Sequence, residues 1–153
     1  MKAPSDDDSL QSTPPATAVW FRRLATIALA GYWIVMFTGT HWPNLSLAAY
    51  PENTDKALHL TGYAGFGFLL ALWFSVRPTN QGSRPLGRAF LPLKDCFWIL
   101  AVVVGYSIFD EVSQPPFGRT CDFWDAVADW GGGLIGVGVF TVARLALWRF
   151  SWL

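Results

Sequence analysis

Charge is what this sequence has least of. Only 14% of its 153 residues are Asp, Glu, Lys or Arg, against about a quarter in an ordinary soluble domain. The formal net charge is zero, which argues against a nucleic-acid-binding surface. Cysteine is nearly absent too. Cys96 and Cys121 lie far apart with no C-x-x-C spacing, so neither a zinc knuckle nor a disulfide framework is expected. H-E-x-x-H, a P-loop and G-x-S-x-G are all missing, which removes the commonest signatures of zinc, nucleotide and serine chemistry. What the chain has instead is apolar content: 52% hydrophobic, with 9 Trp and 12 Phe. Long apolar runs of this kind point to a small polytopic membrane protein.

Met1 to Thr17 is polar and acidic, with Asp6-Asp7-Asp8 and three prolines. It has too little apolar surface to fold and reads as a disordered tail. It also lacks the basic start of a secretory signal peptide. The remaining domain, 18–150, divides into four apolar helices at about 19–38, 55–76, 95–114 and 123–147. Pro78 ends the second. Pro115-Pro116 stops the third, because the residue before a proline disfavours helix. Asn53 or Thr54 is placed to cap the second helix and Asp122 the fourth. Gly62, Gly65 and Gly67, and then Gly131, Gly132, Gly133, Gly136 and Gly138, provide small-residue faces for close helix contact. The fold class is therefore all-α, a four-helix transmembrane bundle. Leu45 to Tyr50 is a short run that reads as interfacial.

Lys and Arg set the orientation. Lys2, Arg22, Arg23, Arg77, Arg84, Arg88, Lys94, Arg144 and Arg149 collect on one side, and only Lys56 and Arg119 on the other. The basic side is expected to be cytoplasmic, with both termini facing in. Cys96 and Cys121 then fall on opposite faces and do not pair.

This topology brings three distant segments to one outer surface: the start of helix two, the end of helix three with its loop, and the start of helix four. Residues three or four apart share a helix face, so Asp55, His59 and Tyr63 form a stripe on helix two, with Lys56 beside His59. On helix three, Ser107 and Glu111 share a face, as do Tyr106, Asp110 and Gln114. Asp125 and Asp129 recur one turn apart on helix four. Ionisable groups at these depths are costly in a bilayer and face the bundle interior. Lys56, His59 or Arg119 are the expected partners of Glu111, Asp55 is placed to fix the tautomer of His59, and Arg119 to neutralise Asp122 or Asp125.

Three chemistries fit. Lys56, His59 and Arg119 suit an anionic headgroup. Glu111, Asp125 and Asp129 suit a hard cation, although no spacing is diagnostic of a metal or other cofactor and none is assigned. His59 and Glu111 suit acid–base catalysis. Tyr63, Gln114, Asp125 and Asp129 complete the expected ligand-binding set with Lys56 and Arg119. The competing view is a non-catalytic accessory protein in which the charges are an ion-pair clasp. A solute pathway is disfavoured, since helices two and four offer little polarity towards the inner side beyond Ser75 and Thr141. The expected partners are membrane lipids or a lipid-linked envelope precursor, not nucleic acid.

Asp55-Lys56-x-x-His59-x-x-x-Tyr63, Glu111-x-x-Gln114, Gly118-Arg119 and Asp125-x-x-x-Asp129-x-x-Gly132-x-x-x-Gly136 resemble the VanZ-like family of small bacterial membrane proteins. The likeness covers about Asp55 to Gly138 and departs at Asp129, where the family pattern usually carries asparagine. The resemblance implies a multi-helix membrane domain. It also implies kinship with the accessory protein Z of glycopeptide-resistance clusters, which is associated with low-level teicoplanin resistance. It supplies a site without a reaction.

Overall fold

A computed structural model describes residues 15–43, 53–79, 82–83 and 90–150. The expected interfacial run at Leu45–Tyr50 and most of the acidic tail lie outside them. The four helices are α1 (Ala16–Thr40), α2 (Thr54–Val76), α3 (Leu93–Ser113) and α4 (Phe123–Phe150). At 1.5 Å per residue each reaches roughly 30–40 Å, and all four are long and apolar enough to cross a membrane. α1 starts at Ala16, so the expected tail gives up its last two residues to the helix.

The helix ends follow from local chemistry. Asn53 precedes α2 at φ 66° and makes no side-chain capping hydrogen bond, which corrects the expected cap. Capping requires β-region backbone at that position. α3 begins at Leu93 behind Pro92 and ends at Ser113. Pro115-Pro116-Phe117 then forms a single 3-10 turn, closed by Gly118 at φ 76°, a left-handed angle that favours glycine. Asp122 caps α4, its Oδ1 accepting the Trp124 backbone N–H at 2.8 Å. Between α2 and α3, β1 (Pro78–Thr79) pairs antiparallel with β2 (Gly82–Ser83) in a minimal two-stranded ladder, where the sequence suggested only loop.

α2 is the central element. It buries His59, Tyr63, Phe66, Gly67, Leu70, Ala71, Phe74 and Ser75, and its broadest interface is with α4. The two meet through backbone. A Cβ at Gly132 would run into the Leu60 carbonyl, and one at Gly136 into the Ala64 carbonyl, so only glycine permits this approach. The three α2 glycines serve two faces instead of one: Gly65 accommodates Tyr32 of α1, and Gly67 meets Gly133 of α4. α1 is the most lipid-exposed helix, with Ala25 its only buried residue. It is held to α2 by Tyr32 Oη donating to Gly62 O at 2.8 Å and Trp73 Nε1 donating to Thr26 Oγ1 at 3.0 Å. At one end of the bundle Arg77 binds buried Asp95 at 2.7 Å and joins α2 to α3. The candidate site occupies the other end.

Candidate functional site

The starts of α2 and α4 and the ends of α1 and α3 converge at this second end. The side chains there follow from where each helix turns its polar positions. His59, Asp110, Glu111, Gln114, Asp125 and Asp129 are all buried. Burial at this level requires partners, and the partners cross between helices.

Asp129 of α4 is the most completely bound. His59 Nδ1 lies 2.9 Å from its Oδ1, and Ser107 Oγ donates to its Oδ2 at 2.8 Å. A carboxylate oxygen accepts, so the proton at that contact sits on Nδ1 and the second ring nitrogen is the basic one. Asp129 therefore performs the tautomer-fixing role expected of Asp55. Asp55 accepts from Arg119 Nη2 at 3.1 Å. Arg119 thus neutralises Asp55, in place of Asp122 or Asp125. Lys56 takes those two, with Nζ at 3.1 Å from Asp122 and 3.4 Å from Asp125. Asp122 lies between the helices, and its carboxyl is held below the usual aspartate range by the Trp124 N–H and then by Lys56.

Of the expected partners of Glu111, His59 is the one beside it: Oε1 faces His59 Nδ1 at 4.0 Å and Gln114 Nε2 at 3.5 Å, while Oε2 accepts the Asp122 backbone N–H at 2.8 Å. Gln114 Nε2 also lies 3.4 Å from Asp110 Oδ2. The Gln114 carbonyl oxygen and the Tyr63 hydroxyl, both buried, have no hydrogen-bond partner among the described residues.

α1 supplies groups that sequence reasoning missed. Thr40 Oγ1 donates to Asp110 Oδ1 at 2.8 Å. His41 is buried, stacks on Phe37, lies 3.7 Å from Asp110 and reaches Ser113 Oγ at 2.8 Å through Nε2. The available signal was a histidine directly after an apolar run that ends in Thr38-Gly39-Thr40. All eight residues expected to form the site thus share one end of the bundle, with Thr40, His41, Ser107 and Asp110 added.

A cavity of about 230 Å³ opens against this network. Thr40, Asp55, His59, Tyr63 and Arg119 form its polar side, and Val35, Met36 and Leu58 its apolar side. Val35 is 71% exposed and Leu58 53%, so the apolar side is continuous with the outer surface of the bundle, where lipid would lie. The arrangement can receive a molecule that is polar at one end and apolar at the other.

The VanZ/LLP1 family model matches residues 6–144. No curated protein and no solved structure matches.

Proposed function

The chain belongs to the VanZ/LLP1 family, and from that premise we propose that it is a membrane receptor for the polar head of an anionic cell-envelope component, a lipid or lipid-linked precursor. The observation that carries the proposal is the two-sided cavity. Arg119 and His59 border its polar side, and Val35 and Leu58 lead from it onto the lipid-facing surface. An anionic head would compete with Asp55 for the Arg119 guanidinium, whose planar fork suits phosphate or carboxylate. Apolar chains would lie along α1 and α2. His59 and Glu111, 4.0 Å apart, are the groups suited to proton transfer with such a head.

The asymmetry of Lys and Arg among the loops supports an extracytoplasmic position for the pocket and cytoplasmic termini. A ligand from the outer leaflet fits that position, and family kinship supports a link with glycopeptide or teicoplanin tolerance. The test is native purification followed by lipid extraction and mass spectrometry, comparing the natural chain with Arg119→Gln and Leu58→Trp. One anionic lipid species retained by the natural chain and depleted in both variants is expected. A lipid profile identical in all three would refute the proposal.

The second reading is a structural clasp. It is favoured by one observation: Lys56 and Arg119 are already paired with carboxylates on other segments. It expects His59→Asn, Glu111→Gln and Arg119→Gln to lower abundance or thermal stability in proportion to any lost phenotype. The receptor reading expects phenotype to be lost at normal abundance.

A further inference from the structure

The charge balance of this network, in which four of the carboxylates are buried, is unusual. Among the described residues, six carboxylates converge there: Asp55, Asp110, Glu111, Asp122, Asp125 and Asp129. They face two permanent cations, Lys56 and Arg119, and two histidines. With both imidazoles protonated, the carboxylates still outnumber the cations by two. Uncompensated charge at membrane depth is strongly disfavoured.

Local geometry shows where compensation belongs. One ring nitrogen of His59 and one carboxylate oxygen each from Asp110 and Glu111 lie within 4.8 Å of one another. Oxygen donors sit about 2.0–2.6 Å from a hard divalent ion, so donors on opposite sides of it are about 4–5 Å apart. The side chain of Gln114 reaches into the same group. Its amide nitrogen lies 3.4 Å and 3.5 Å from the two carboxylates, both long contacts, while its carbonyl oxygen is buried with no partner among the described residues. That oxygen is a ligand type that hard cations accept. Turning the amide over would present it to the centre of the cluster.

We propose that His59, Asp110, Glu111 and Gln114 form a divalent-cation site, with Mn2+ the apt ion. Two carboxylates and a carboxamide oxygen suit Mg2+, Ca2+ and Mn2+, a single imidazole moves the preference towards Mn2+, and a set without sulfur gives soft ions no advantage. Asp129, bound to His59 on one side and Ser107 on the other, orients the imidazole as outer carboxylates do in metal sites. With His59 neutral as a ligand, the ion lowers the excess of negative charge from three to one. The site shares His59 and Glu111 with the lipid-head reading but needs no lipid, because protein atoms alone hold the ion.

The experiment is titration of Mn2+ into the full chain in detergent micelles without added lipid, after removal of metals with EDTA. Free Mn2+ is read by electron paramagnetic resonance, with Mg2+, Ca2+ and Zn2+ as competitors. The proposal expects saturation at one ion per chain. It expects Glu111→Gln and Asp110→Asn to weaken binding by at least about tenfold, the scale of losses at supporting positions of metal sites. To separate binding from misfolding, Gln114→Leu and Gln114→Glu are compared as folded chains by circular dichroism. Leucine should weaken binding and glutamate should restore it. The proposal is overturned if no Mn2+ binds, which would mean that protons neutralise the carboxylates. It is equally overturned if Mn2+ binds identically to all four variants, which would place the ion elsewhere. Either result leaves the lipid-extraction test of the receptor reading untouched.

Discussion

Replacing Asp129 separates charge from hydrogen bonding at the centre of the site. The carboxylate makes two buried contacts, with His59 Nδ1 at 2.9 Å and Ser107 Oγ at 2.8 Å. Asp129→Ala removes both acceptors and strands a buried imidazole and a buried hydroxyl. A hydrogen bond to a charged group contributes about 1.5–3 kcal/mol and a neutral one about 0.5–1.5. Removing one member of a buried pair typically costs about 3–5 kcal/mol. The two routes overlap at a loss of about 3–4.5 kcal/mol. Asp129→Asn should behave differently. Its carbonyl still accepts from Nδ1–H, and its amide donates to Ser107 once that hydroxyl rotates. It also removes one negative charge from an acid-rich cluster, so its cost should stay below about 1.5 kcal/mol. The assay is reversible unfolding in mixed micelles followed by circular dichroism, with tryptophan fluorescence as the second probe. An alanine variant costing less than about 1 kcal/mol, or an asparagine variant as damaged as alanine, would show that these contacts do not hold the helices together.

Four further outcomes follow from the packing and the helix ends. Gly136→Ala should separate α2 from α4 and cost several kcal/mol, because its Cβ meets the Ala64 carbonyl. Gly138→Ala, with nothing within 4 Å of the new atom, should be neutral or stabilising by up to about 1 kcal/mol; thermal melts of the two variants side by side check both. Tyr32→Phe should cost about 1 kcal/mol through loss of the bond to Gly62 O, measurable by the same melts. Asp122→Ala should cost about 1 kcal/mol at neutral pH by uncapping α4. Because the folded carboxyl titrates below its ordinary range, that contribution is fully present above the ordinary aspartate pKa and disappears as pH falls through the lowered value. Stability–pH curves of the two proteins should therefore converge in acid, and parallel curves would refute the assignment.

The helices were readable because hydropathy and proline punctuation are local. Pro78 and Pro115 mark real ends, and the Gly132-x-x-x-Gly136 spacing marks α4 as a close-packing helix without naming α2 as its partner. The location of the site was readable because a bilayer leaves His59, Glu111 and Asp129 few places to go. The pairings were not. Asp55 and His59 share a helix face, yet Asp55 turns to Arg119 while His59 takes Asp129 from another helix. Spacing along one helix constrains direction and says nothing of which neighbour stands opposite. His41 escaped for a related reason. At the end of an apolar run it resembles an interfacial residue, and only the approach of α1 to α3 reveals that Asp110 and Ser113 await it.

The bare-backbone seam between α2 and α4 has a mechanical consequence. Helices touching at Leu60 and Gly132, and again at Ala64 and Gly136, cannot slide along each other without collision, because there are no flexible side chains between them to yield. They behave as a rigid mast. α1 borders the cavity with Val35 and Met36 and is held by side chains instead: Tyr32 and Trp73 tie it to α2, and Thr40 and His41 tie its end to α3. The width of the cavity mouth is therefore set by those four side-chain ties against the mast.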